Sequence, residues 1–231
     1  MSTLPPDALR GVAFFAGLSE AAFEALGRQC HRRNFKAREI MITQEDQSGD
    51  VLFLLSGHAR VNVYSPAGSR VSFRDLKPGT IFGELAAIDG QVRSASVECV
   101  EPCLAVIMPQ KIFSRALDEH AAFRTAVLKH LSQQVRALTA RVFEFSTLAV
   151  RNRVQAELLR IVGAKPDARN ASIEPAPTHE EIASRISTHR EAVTRELSWL
   201  EERGIIARQG RTLHVRDLPR LRRLVEEGSD D

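Results

Sequence analysis

The residues best suited to chemistry lie in one segment, 82–97, whose sequence is FGELAAIDGQVRSASV. Arg93 supplies a full charge and a planar fork of donors that matches the oxygens of a phosphate. A short helix that begins near Glu84 can present backbone N–H groups to the same anion. Glu84 is an acceptor suited to a sugar hydroxyl, and Ser94 adds a hydroxyl donor. Taken singly, Glu84 and Arg93 would be better explained as a structural ion pair near a tight turn.

This segment resembles the phosphate-binding cassette of cyclic-nucleotide-binding domains, in which F-G-E-L-A precedes R-[ST]-A-x-V. The match is almost complete, and the wider resemblance, to the Crp/Fnr family of regulators, covers nearly the whole chain. The resemblance implies that Glu84 binds the ribose 2′-OH and that Arg93 and Ser94 bind the cyclic phosphate. The cassette residues expected at the ligand are Gly83, Glu84, Leu85, Ala86, Arg93 and Ser94.

Two further positions bear on which purine is bound. Phe73 and Arg74 fall where the cAMP-binding members carry Leu-Ser beside the base. An Arg can bond both O6 and N7 of guanine, whereas adenine has a donor amine in place of O6. We therefore expect cGMP to be favoured over cAMP by a narrow margin. The alternative is that Arg74 lies on a strand face and points to solvent.

A second pair, Leu138 and Thr139, stands where the cAMP-binding members have Thr-Ser. Leu138 lacks the hydroxyl that can bond the adenine amine. Thr139 remains available to a ligand, including that of a partner subunit. Both residues are therefore included in the expected nucleotide site.

The elements that must position the cassette are strands. Short runs rich in β-branched residues alternate with turn residues, which predicts a small antiparallel barrel or roll. The predicted strands are Val51–Leu55, Ala59–Tyr64, Arg70–Leu76, Ser94–Val100 and Leu104–Met108.

Long helices are predicted next, because Gly and Pro are absent from residues 110–162. Apolar residues there recur at alternating spacings of three and four, as in a heptad seam. A seam on a helix this long favours pairing with a second copy, so we predict a parallel homodimer through residues 128–145. The alternative is a helix that lies against its own domain. The seam residues are Leu128, Leu131, Val135, Leu138, Val142 and Phe145.

The C-terminal part is predicted to be a winged helix-turn-helix. A proline-containing loop is expected over residues 165–177, and a hairpin over Ile205–Val215 turns at Gln209-Gly210. Two short helices lie between them. Each begins with a capping-box signature, Thr178-x-x-Glu181 and Thr188-x-x-Glu191.

The second of these helices resembles the family's recognition helix, with the core pattern R-E-x-V-x-R. Arg190 and Arg195 can each bond guanine O6 and N7, and Glu191 can accept from cytosine N4. The alternative is that Glu191 and Arg195 form only a surface pair. The resemblance implies palindromic double-stranded sites with half-sites like TGTGA. The predicted DNA-binding residues are Thr188, His189, Arg190, Glu191, Thr194 and Arg195.

Together these patterns predict an α+β protein with three parts: an antiparallel β-roll over residues 1–115, a long dimerisation helix over 116–146 and a winged helix-turn-helix domain over 147–231. We expect a cytoplasmic, allosteric transcription regulator that binds a cyclic nucleotide and DNA and contacts RNA polymerase. The net charge of +3 is compatible with nucleic acid.

Other classes of protein fit less well. We find no nucleophile–base motif, metal-ligand cluster or Walker loop, so we expect no enzyme activity. No apolar run approaches the ~20 residues that span a bilayer, so we expect no membrane partner. The main alternative is the same architecture sensing haem, a gas or a redox signal. Its candidate residues are His31, His58, Cys30, Cys99 and Cys103.

Overall fold

A computed structural model of the chain describes residues 2–3, 9–65, 70–163 and 167–228. The chain forms two compact units, Met1–Val135 and Arg136–Asp231, and the boundary between them falls within one long helix. Among the described helices, none has the length and apolar character needed to cross a membrane.

The N-terminal unit contains the predicted roll, built from two antiparallel sheets. One sheet has the strand order β1-β2-β9-β4-β7, and the other has the order β3-β8-β5-β6. Their bounds are β1 Ser2–Thr3, β2 His31–Phe35, β3 Ile40–Ile42, β4 Val51–Ser56, β5 Ala59–Tyr64, β6 Arg70–Leu76, β7 Ile81–Phe82, β8 Ser96–Cys99 and β9 Cys103–Met108.

Four of these strands were not predicted from the sequence. Three of them, β1, β3 and β7, have only two or three residues. The fourth, β2, exposes the polar run Arg32-Arg33-Asn34 and buries only Phe35, so it has no apolar alternation to detect. Its partner β9 is almost entirely buried and therefore carries the apolar signal for the pair.

Four helices pack on or beside the roll: α1 Glu20–Gly27, α2 Glu84–Asp89, α3 Gln110–Glu119 and α4 Ala121–Thr147. The chain adopts an extended conformation at His120, so residues 116–119, where the predicted dimerisation helix begins, lie in α3. No glycine or proline marks this break. The first turns of α4 are anchored by Phe123, whose ring lies 5.4 Å from that of Phe15 and 5.8 Å from that of Phe113.

The C-terminal unit is a winged helix-turn-helix with a three-stranded sheet of order β10-β12-β11. The strand β10 lies inside the predicted loop 165–177, whose first two residues are outside the described part of the chain. The elements are α5 Val150–Val162, β10 Ala171–Ile173, α6 His179–Arg185, α7 Arg190–Glu202, β11 Ile206–Gln209, β12 Thr212–Val215 and α8 Leu218–Glu227.

The two predicted capping boxes have different outcomes. Thr178 caps α6 with the reciprocal bonds to Glu181 that the sequence predicts. The second box is wrong, because α7 begins at Arg190 and its N-cap is His189, which makes no side-chain cap bond. Ser187 has a φ of 50°, and the Thr188 N–H bonds to the Ala183 carbonyl. Thr188 therefore lies in the turn, one residue before the N-cap position of α7.

A buried carboxylate organises the C-terminal unit. Glu157 of α5 is 1% exposed and pairs with Arg141 at 3.0 Å and Arg185 at 3.4 Å. It also pairs with Arg160, and Arg141 donates to the Arg185 carbonyl at the end of α6. The last turns of α4 are thus fixed to α5 and to the start of the helix-turn-helix turn by one network of charges.

We predict that Glu157→Gln lowers the free energy of unfolding of the C-terminal unit by about 3–5 kcal/mol, because three arginines lose a buried partner. The matched control is Glu144→Gln. The Glu144 side chain is 27% exposed and contacts two of the same arginines, so its loss should cost no more than ~1 kcal/mol. Fluorescence of Trp199, the single tryptophan, reports this unit during urea unfolding. Equal losses in the two variants would contradict the central role of Glu157.

Candidate functional site

The guanidinium of Arg93 is buried, with 3% of the residue exposed, and is bound by oxygen atoms. It donates to the carbonyls of Gly83 at 2.7 Å and Asp50 at 2.6 Å and to the Ser48 hydroxyl at 3.1 Å. Burial lowers the pKa of Arg93, and the nearby Asp50 carboxylate opposes that shift. The side chain therefore remains a cation held in a fixed orientation.

Gly83 makes this arrangement possible. It has a φ of 82° and is the N-cap of α2, so the chain reverses direction immediately before Glu84. A Cβ at position 83 would lie 2.7 Å from Arg93 Nη1 and 2.9 Å from Ile42 Cδ1. Only glycine combines this backbone conformation with so close an approach.

The structure places the other cassette residues around this turn. Glu84 is 2% exposed and Ala86 is also buried, although both lie in the first turn of a surface helix. Leu85 and Ser94 are exposed. Glu84 and Arg93 are therefore not a surface ion pair.

Two residues of α4 that the sequence analysis missed contact Glu84. The Gln134 amide donates to Glu84 Oε1 at 3.0 Å, and His130 Nε2 lies 2.6 Å from Gln134 Nε2 and 3.9 Å from Glu84 Oε1. Because Gln134 Nε2 is a donor, His130 Nε2 must be the acceptor, which requires the neutral ring. Burial lowers the pKa of His130, Glu84 raises it and Arg74 lowers it further. The signal in the sequence is this polar i,i+4 pair within an otherwise apolar face.

Arg74 belongs to the same cluster. It pairs with Val61 in the sheet and is half-buried, and burial lowers its pKa while the charge of Glu84 opposes the shift. Arg74 therefore does not simply point to solvent. Its neighbour Phe73 lies on the other face of the strand and is 49% exposed.

The predicted residues Leu138 and Thr139 lie one turn beyond Gln134 on α4, within the C-terminal unit. Leu138 belongs to a row of apolar side chains that the chain leaves uncovered. Leu131 and Phe145 instead pack against the cores of their own units. The seam residues that are between 49% and 64% exposed are Leu128, Val135, Leu138 and Val142.

The predicted DNA-binding residues lie at the N-terminal end of α7. Val193, Leu197 and Leu200 are buried, as the spacing of apolar residues requires. In the described part of the chain, Glu191 and Arg195 form no ion pair with each other. Thr188 is half-buried, and the remaining five predicted residues are exposed: His189, Arg190, Glu191, Thr194 and Arg195.

Comparison with known proteins agrees with both units. A cyclic nucleotide-binding domain model matches residues 32–120, and a Crp-like helix-turn-helix domain model matches residues 152–224. The transcriptional regulator LdrP of Thermus thermophilus is 29% identical over 198 residues, which cover 85% of this chain and 97% of LdrP. The cAMP-activated global transcriptional regulator Vfr of Pseudomonas aeruginosa is 26% identical over 192 residues, which cover 80% and 89% of the two chains.

A solved structure shows the same fold. The crystal structure of a Crp/Fnr-family transcriptional regulator from Thermus thermophilus superposes with a TM-score of 0.71 and 23% identity. The match covers 86% of this chain and 100% of the other.

We predict that Gly83→Ala destabilises the N-terminal unit more than Gly90→Ala does. Both glycines have a positive φ, 82° and 70°, so each substitution costs about 1–2 kcal/mol of backbone strain. Only the Cβ at position 83 meets other atoms within 4 Å, which should add roughly 1–3 kcal/mol. Urea unfolding followed by circular dichroism measures the difference, and equal costs would show that Gly83 and Arg93 are not tightly packed.

Proposed function

This chain belongs to the Crp/Fnr family of transcription regulators, and from that premise we propose that it is a homodimer that binds specific DNA in response to a cyclic nucleotide. The observation that carries the proposal is the buried Arg93, held over the turn at Gly83 and next to Glu84. A guanidinium has five N–H groups, and three of those in Arg93 are used by protein oxygens. One N–H remains on each terminal nitrogen for the two free oxygens of a cyclic phosphate.

The rest of the cassette supplies the ribose contacts. Glu84 would accept from the 2′-OH, in place of or beside the amide of Gln134. Because Gln134 lies on α4, a ligand at Glu84 would alter a contact of that helix directly. We propose that this change, together with contact near Thr139, biases the hinge around residues 144–150. The two recognition helices of the dimer would then lie one DNA turn apart, ~34 Å.

We propose that the ligand is a cyclic purine nucleotide, with cGMP narrowly favoured over cAMP. The half-buried position of Arg74 beside Glu84 supports a side chain that faces the ligand. Arg74 could bond O6 and N7 of guanine but only N7 of adenine. The relative Vfr is cAMP-activated, which makes cAMP the alternative.

The redox form of the non-nucleotide alternative receives less support. Burial raises the pKa of Cys30 and of Cys99 to about 12, so neither thiol forms the reactive thiolate readily at neutral pH. We retain a haem or gas signal only as the outcome expected if neither nucleotide binds.

The exposed seam on α4 supports a homodimer through residues 128–145. Four apolar side chains spaced as in a heptad are an unfavourable surface for a lone helix in water. In this proposal the roll occupies residues 1–115, the dimerisation helix residues 116–146 and the DNA-binding domain residues 147–231. The dimer would act in the cytoplasm on palindromic sites and contact RNA polymerase.

The nucleotide assignment predicts two separable losses in calorimetric titrations. Arg93→Lys keeps the charge but not the planar fork, so both nucleotides should bind at least about tenfold more weakly. Arg74→Ala should lower the ratio of cGMP to cAMP affinity by roughly 5- to 150-fold, the value of about 1–3 kcal/mol for a bidentate contact. Arg70→Ala, an exposed arginine on the same strand, is the control and should leave the ratio unchanged.

An unchanged ratio in Arg74→Ala would refute the purine assignment. Full affinity in Arg93→Lys would refute the cassette assignment. If the wild-type protein binds neither nucleotide, the ligand class is wrong and the haem or gas alternative takes its place.

The DNA assignment predicts that Arg190→Ala relaxes discrimination at one guanine by about 1–3 kcal/mol. Binding sites are first selected from a randomised duplex pool with nucleotide-loaded protein, and variants of the selected site are then compared by fluorescence anisotropy. A similar loss for every base at that position would instead identify Arg190 as a phosphate contact. The control is Arg216→Ala, an exposed arginine beyond the wing.

A further inference from the structure

A cavity of about 420 Å³ lies beside the start of the recognition helix, and no role for it follows from the family assignment. Three elements of the C-terminal unit form it: the first turn of α6, the first turn of α7 and the wing strand β11. The lining residues are Thr178, His179, Glu180, Arg190 and Arg208.

The orientation of the His179 ring is set by a hydrogen-bond chain. Thr194 Oγ1 donates to the Arg190 carbonyl at 3.0 Å, and His179 Nδ1 lies 2.7 Å from the same Thr194 oxygen. A threonine hydroxyl has one proton, which the Arg190 carbonyl receives, so His179 must donate from Nδ1. The second ring nitrogen, Nε2, is therefore the one left for a ligand. In the neutral ring Nε2 is an acceptor, and it becomes a donor only when the ring is protonated.

Burial and the charges around the ring both favour its neutral form in the absence of a ligand. Burial lowers the pKa of His179, and the arginines at 208 and 190 lower it further, while Glu201 of α7 opposes them. Of the charged residues that line the cavity, Arg190 and Arg208 are positive and Glu180 is negative. An anion that entered would offset the two arginines and accept a hydrogen bond from a protonated Nε2. It would therefore raise the pKa of the ring.

We propose that this cavity receives one backbone phosphate of the bound duplex and that His179 takes up a proton as it does so, which couples DNA affinity to pH. His179 is also a positioning residue, since it bonds Thr194 of the recognition helix and so fixes α6 to α7 at this point. The inference rests on the proposed function, because it requires α7 to enter DNA. The sign follows from linkage: the complex holds more protons than the free protein, so affinity rises as pH falls between the two pKa values of His179.

The direct test is the titration of the His179 Cε1–H resonance in the full-length, nucleotide-loaded protein, assigned with the His179→Asn variant. We expect a pKa below the usual histidine value in the free protein and a higher one with a duplex of about 30 base pairs at low salt, where phosphate contacts dominate binding. Millimolar inorganic phosphate should not reproduce the shift. The proposal is overturned by equal pKa values in the free and bound protein, or by a shift with inorganic phosphate as large as that with DNA.

Measurements of DNA affinity distinguish proton uptake by His179 from its role in positioning Thr194. His179→Asn keeps a donor where Nδ1 lies, so Thr194 stays in place, but it cannot gain charge. Wild-type affinity should rise on acidification through the histidine range by up to about tenfold per pH unit for each subunit that takes up a proton, and this slope should disappear in His179→Asn. His214→Asn, on β12 and bonded to Ser172, is the control and should keep the slope.

A slope that persists in His179→Asn would show that another group takes up the proton and would overturn the proposal. Wild-type protein that binds no duplex at any pH would refute the proposed function and the inference together. Wild-type protein that binds DNA without a pH slope would refute the inference alone.

Discussion

The buried charge of Arg93 is the constraint on which the architecture of the roll depends. A guanidinium removed from water needs acceptors for its donors, and the protein supplies them from separate segments: Ser48 and the Asp50 carbonyl before β4, and the Gly83 carbonyl before α2. These acceptors can converge only because Gly83 has a positive φ and no side chain. The turn that satisfies Arg93 also buries Glu84. One desolvated cation therefore fixes both charged groups of the candidate nucleotide site.

The helix α4 carries three kinds of contact in succession. Its first turns pack apolar side chains, including Phe123 and Val127, into the core of the roll. Its middle turns present His130 and Gln134 to Glu84. Its last turns bring Arg141 to Glu157 within the helix-turn-helix unit. A change at Glu84 and a change at Glu157 would therefore each alter a contact of the same helix.

How much could be predicted from the sequence depended on whether the signal was local. The alternating strands, the short helix that begins at Glu84 and the cap at Thr178 are encoded within a few residues, and their prediction is confirmed. The bond from Gln134 to Glu84 joins residues 50 positions apart, and helical periodicity does not show which polar side chain faces a pocket. Glu157 was missed for the same reason, since nothing local distinguishes a buried carboxylate from an exposed one. The capping box predicted at Thr188 is a local pattern that failed. The left-handed conformation of Ser187 placed Thr188 in the turn, so it could not cap the helix.

The two candidate sites share one electrostatic design. Each places a histidine, kept neutral by burial, beside arginines whose charge does not change: His130 beside Arg74, and His179 beside Arg190 and Arg208. The first is proposed to receive the sugar and base of a cyclic nucleotide, and the second a backbone phosphate, whose charge opposes the effect of the arginines on the neighbouring imidazole. They differ in the carboxylate that is present, because Glu84 is buried at the first site whereas Glu180 is exposed at the second. Because the charge of Glu84 raises the pKa of His130 whether or not a ligand is bound, ligand binding should change the protonation of His130 less than that of His179.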